Sequence, residues 1–174
     1  MKSTSSLAAM AAVVLSLNAM TVSAVNAAPE GCLSANESTA EKVRRLKTTL
    51  MVGALQCTSA PHLRVTESYN AFVETHGLSI QSHDQVLSGY FERIHGKAYR
   101  RAMDRHVTSM ANKVATQSYK TAGFCEKVAA LAERSLTRSA DALLAVAEAN
   151  TIAPRTMASC PRAEITSADV VKLP

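Results

Sequence analysis

Five histidines, His62, His76, His83, His95 and His106, are the first residues that invite a chemical reading, because imidazole is the commonest protein ligand for metals. Their spacing argues against a shared ion. No two stand three or four residues apart, the separation that places two ligands on one helix face. Glu92-Arg93-Ile94-His95 supplies one Glu-x-x-His, where a di-iron bundle needs two and further carboxylates. The expectation is scattered surface and cap-proximal histidines, with no metal site.

Lys97, Arg101 and Arg105 recur every four residues, with Arg93 and Arg100 nearby. On a helix that spacing forms a cationic ridge able to receive phosphate or another anion, although Asp104 lies within the run and lowers its field. These three are the candidate anion-binding residues. Catalytic signatures are lacking: there is no Gly-x-Ser-x-Gly elbow, no defensible pair of carboxylates and no glycine-rich phosphate loop. The sequence therefore nominates no catalytic residue and no cofactor, and points to binding rather than catalysis. An enzyme of unknown class would need a polar cluster inside the fold.

The elements that must position these residues follow from composition. Gly 6 and Pro 5 in 174 residues are about half the usual share of helix breakers, which disfavours β-sandwich, collagen-like and low-complexity chains. With no Trp and 4% aromatic residues, stacking surfaces for sugars or single-stranded bases are scarce. The fold class expected is all-α, a single compact up-and-down bundle of about five helices. Ser38-Thr39-Ala40-Glu41 has capping-box spacing and predicts the start of the first helix. Val43, Leu46, Leu50, Ala54 and Cys57 then form its inner stripe, leaving Lys42, Arg45, Lys47 and Thr48 mainly to solvent. A second helix starts at Pro61 and stops at Gly77, a third runs from Ser79 to His95, and a fourth from Lys97 to Ser118. The fifth, from Phe124 to Asn150, is expected to kink between Ser135 and Ser139. Beyond Pro154 the periodicity is lost.

Residues 1–27 read as a secretory signal peptide. Lys2 gives the positive start, Leu7 to Leu17 form an apolar run, and small residues close the segment at Val25-Asn26-Ala27. Cleavage is placed after Ala27, with Ala24 as the competing site. The apolar run is shorter than the ~20 residues of a spanning helix, and acidic and basic residues interrupt the Ala-rich stretch from Ala122 to Asn150, so no transmembrane segment is expected after cleavage. This divides the chain into a signal at 1–27, a bundle at 28–153 and an irregular tail at 154–174. Losing Lys2 lowers the formal charge from +5 to +4, a mild excess that suits an anionic envelope surface. Export and the lack of a recognisable motif argue against nucleic acid as a partner.

Four segments carry a resemblance: Leu46 to Cys57 (LKTTLMVGALQC), Tyr69 to Val73 (YNAFV), His106 to Asn112 (HVTSMAN) and Phe124-Cys125. In this order they resemble an uncharacterised family of small secreted, cysteine-containing helical proteins from alphaproteobacteria, over about residues 32–125. The resemblance implies a Gram-negative periplasmic setting and brings no established activity.

The four cysteines, Cys32, Cys57, Cys125 and Cys160, are even in number and widely spaced, as structural disulfides of an oxidising compartment are. If five helices alternate in direction, Cys32 and Cys125 share one end of the bundle, and Cys57 and Cys160 share the other. Joining Cys32 to Cys57 would require the short segment before Ser38 to retrace a helix about 27 Å long. The expected pairs are therefore Cys32 with Cys125 and Cys57 with Cys160. Taken together, the sequence suggests a non-enzymatic periplasmic module that binds an envelope partner or serves a structural or stress role, with anion binding at the ridge as the alternative.

Overall fold

Two adjacent tetrads, Ser34-Ala35-Asn36-Glu37 and Ser38-Thr39-Ala40-Glu41, carry the same capping-box spacing, and the first one starts the fold. In the computed structural model, which describes residues 31–137 and 139–161, the Ser34 hydroxyl accepts from the Glu37 amide at 3.3 Å and the Glu37 carboxylate accepts from the Ser34 amide at 2.8 Å. Helix α1 therefore spans Ala35–Gln56, one turn longer than expected. The expected signal segment and residues 162–174 of the expected tail lie outside the described residues.

Helix α1 is the central element and packs on all four other helices. Val43, Leu46, Leu50, Ala54 and Cys57 are buried, as the stripe requires, and so is Val52 outside it. So are Arg45 and Thr48, against the expectation that they face solvent. A helix covered on several sides has no polar face left to spare, and these side chains are enclosed by elements distant in sequence.

After a 3-10 turn at Pro61–Leu63, α2 runs unbroken over Val65–His95. The expected stop at Gly77 does not occur. A glycine inside a helix costs only about 1 kcal/mol relative to Ala, and the stripe Phe72, His76, Ile80, Leu87, Phe91 continues in phase past it, buried throughout. Gly96, at φ 51°, breaks α2. A 3-10 turn at Gly96–Ala98 then leads into α3, Tyr99–Lys120. Gly123, at φ 64°, precedes α4, Phe124–Ser135. The expected kink after Ser135 is a full break, and α5, Ala140–Ala149, begins anew with Ser139 as its cap. The described residues thus form five α-helices, divided differently from the sequence reading.

Fusing two expected helices into α2 reverses the expected direction of α3 and α4, and this corrects the disulfide pairing. Cys125, at the start of α4, comes to the end of the bundle where α1 finishes, and bonds Cys57. Cys160 returns to the end where α1 starts, and bonds Cys32. The pairs Cys32 with Cys125 and Cys57 with Cys160 do not form. Residues 150–161, after α5, are irregular yet anchored: Leu33 donates to the Ala158 carbonyl at 2.9 Å, and the Cys160 amide donates to the Leu33 carbonyl at 2.7 Å.

The main core joins α1, α2, α4 and α5 through Leu46, Leu50, Phe72, Val128 and Leu143, with Val114 of α3 and Cys57 included. A smaller apolar cluster of Leu33, Tyr90, Phe91 and Ala102 closes the Cys32–Cys160 end. No helix among the described residues is long and apolar enough to cross a membrane.

Candidate functional site

Helix α3 buries Ala102, Met110 and Val114, which leaves its opposite face to solvent. Arg101 and Arg105 lie on that face one turn apart, and both are exposed. With Lys113, Ser109 and Asn112 they line a shallow concavity walled by α3 alone. Asp104 lines it too, so the moderating carboxylate expected from sequence is in place. Lys97 is exposed in the preceding 3-10 turn and does not line the concavity. The structure therefore keeps two of the three ridge residues together and adds Lys113. That lysine was legible, since the four-residue step from Arg101 through Arg105 and Ser109 leads directly to it.

Between residues 96 and 120 there are six Lys or Arg residues against Asp104 alone. This surplus exceeds the net charge of the whole of residues 28–174. Basic side chains are therefore not spread evenly over the surface, and the field of the molecule is concentrated along one helix. Arg100 extends the charge, its guanidinium 5.6 Å from the Tyr99 ring centroid and its Nε donating to the Tyr99 hydroxyl at 3.1 Å. Arg93 is neutralised by two contacts to Glu37, at 2.7 and 2.8 Å. It contributes less to the outward field.

The histidines are dispersed. His62 is exposed, and His76 is buried with Nε2 2.9 Å from the Ser135 carbonyl. His95 stacks on Phe91. His106 also packs against Phe91, with ring centroids 5.4 Å apart. Burial, with Arg44 and Lys113 nearby, holds the His106 imidazole below its ordinary pKa, and burial does the same for His83. Among the described residues no three His, Cys, Asp or Glu side chains come together as a metal site.

A polar cluster does lie inside the bundle, where sequence reasoning placed solvent-facing side chains. Arg45 is 1% exposed and Glu41 4% exposed, one turn apart on α1. Their closest approach is 3.8 Å, from Arg45 Nη1 to Glu41 Oε2. Burial pushes the Glu41 carboxyl above its ordinary range, partly opposed by Arg45, Arg155 and Lys42. Above the pair, Asn150 donates to the Thr49 hydroxyl at 2.9 Å. Lys42 is held by Glu148 at 2.8 Å. The only sequence signal for this cluster was the second capping box. Ser38 and Glu41 are released from capping because Ser34 and Glu37 do that work.

No family model, no curated protein and no solved structure is similar to this chain. Its functional reading rests on its own residues.

Proposed function

We propose that this chain is an exported, disulfide-stapled helical module that acts in the periplasm of a Gram-negative cell by binding an anionic envelope component through the outer face of α3. The observation that carries this reading is the concentration of cations on that helix, with Arg101, Arg105 and Lys113 sharing one exposed face. A surface of this kind draws a polyanion by long-range attraction and holds it by charge-assisted hydrogen bonds.

The compartment is supported by three features. Two disulfides staple the fold, and such bonds persist in oxidising compartments. Residues 1–27 have the pattern of a cleaved leader. The segments between residues 32 and 125 resemble small secreted helical proteins of alphaproteobacteria.

The test is co-sedimentation with vesicles containing lipid A, against neutral vesicles, at increasing salt. Binding is expected to fall steeply with salt and to weaken several-fold in the double variant Arg101→Ala/Arg105→Ala. Undiminished binding by that variant, or equal binding to neutral vesicles, would remove the reading.

A further inference from the structure

The Glu41–Arg45 pair lines a second, mostly enclosed cavity that shares no lining residue with the α3 face. It has a volume of about 220 Å³ and lies between the first turns of α1 and the irregular segment 155–159, which Cys160 ties down. Its polar lining is Ser38, Glu41, Lys42, Arg45, Arg155 and Ser159. Two of the residues that line it each hold a buried atom with no hydrogen-bond partner: Arg45 Nε, a donor, and Glu41 Oε1, an acceptor. Leaving such groups unpaired is costly, and the contacts that Arg45 does make are long, 3.8 Å to Glu41 and 3.5 Å to the Ala147 carbonyl.

Charge arithmetic around the cavity is simple. Lys42 is balanced by Glu148 and Arg45 by Glu41. Arg155 is exposed and makes no ion pair among the described residues, so it is the surplus cation. The Ser38 and Ser159 hydroxyls, 2.9 Å apart, join the two walls.

We propose that this cavity binds a small free oxyanion that retains an O–H group, dihydrogen phosphate being the simplest. Its oxygens accept from Arg45 Nε and from Arg155, and its hydroxyl donates to Glu41 Oε1. A ligand of this class satisfies the orphan donor and the orphan acceptor together, and a monoanion cancels the surplus charge. Sulfate has no proton to offer at neutral pH, so its oxygens would meet the Glu41 carboxylate unrelieved. The size of the cavity suits such an ion and is below the range of ordinary organic-ligand pockets.

The experiment is calorimetric titration of the oxidised protein with inorganic phosphate, then sulfate at matched ionic strength. Saturable binding of one phosphate per chain is expected, with sulfate at least tenfold weaker. Arg155→Ala, a change at an exposed position, should weaken phosphate at least tenfold, and Glu41→Leu/Arg45→Met should abolish binding while the chain still folds by circular dichroism. Arg101→Ala/Arg105→Ala should leave phosphate affinity unchanged, which separates this site from the α3 face whatever becomes of vesicle binding. No saturable binding by the wild type overturns the proposal, and would mean that solvent alone satisfies these groups. Sulfate bound as tightly as phosphate, phosphate binding that survives the Glu41/Arg45 double variant, or its loss in the α3 variant also overturns it.

Discussion

The two ends of the bundle use the same covalent device in opposite surroundings. At one end, Cys57 is buried in the main core beside Phe124 and Val128, and α1 approaches α4 so closely that a Cβ at Gly53 would overlap the Val128 side chain. At the other, Cys160 fastens an irregular segment over a cavity lined by charged side chains. Close packing stabilises a structure and leaves no room for a ligand. Buried polar atoms without partners cost stability instead, and each calls for a cause such as strain, an ordered water or a bound ion. The difference separates a close-packed stapling end from the end at which we propose binding. The start of α3, with its cations, lies at that second end.

Removing the disulfides one at a time gives the largest expected effect. Chain entropy alone ranks Cys32–Cys160 first, because it closes the longer loop, a separation of 128 residues against 68, with values of about 4 to 5 kcal/mol for each. The comparison of ends predicts the opposite order. Without its bond to Cys32, the segment around Cys160 gains freedom in the folded state as well, which offsets part of the loss. The interior bond between Cys57 and Cys125 has no such relief. Urea denaturation of Cys57→Ser/Cys125→Ser and Cys32→Ser/Cys160→Ser should show the first pair as the less stable.

Next in size is the buried ion pair. Arg45→Met leaves Glu41 enclosed without its cation, and should cost about 3 kcal/mol. Adding Glu41→Leu should recover most of that loss, since an apolar pair of similar volume no longer carries the desolvation penalty. Equal destabilisation of single and double variants in the same assay would show that the pair is held by more than mutual neutralisation. At the stapling end, Gly53→Ala should cost about 2 kcal/mol by overpacking against Val128. A neutral result would mean that α1 and α4 can part, and that this end is not tightly closed.

The structure explains how much of this was legible. Helical periodicity found the inner stripe of α1, and the helix bounds drawn at His95 and Phe124 match the breaks at Gly96 and Gly123, because those signals are local. Gly77 misled because a helix interior tolerates a glycine when the buried stripe stays in phase. That one error reversed the chain direction at Cys125, and with it the disulfide pairing. Arg45 was assigned to solvent on a similar ground: the residues that enclose it, Ala147 among them, lie about a hundred positions away, and periodicity carries no information over that distance. Arg101 and Arg105 were legible because a four-residue step on one helix needs no partner to be read.

The smallest effect is a pH dependence. His106 and His83 both titrate below their ordinary 6.5 in the folded protein. As pH falls through 6.5 the unfolded chain takes up protons first, so these groups lower stability progressively down to their folded pKa values. His106→Gln should flatten that decline in thermal melts between pH 7 and 5. An unchanged slope would place its origin elsewhere.

The most direct test of the division between the ends is an amide NMR titration of the oxidised protein with a soluble polyanion such as heparin. The account predicts salt-sensitive shifts along Arg100 to Lys113, strongest at the start of α3, with the amides around Gly53, Cys57 and Cys125 silent. Shifts centred on the Cys57–Cys125 end, or no shifts at low salt, would contradict it.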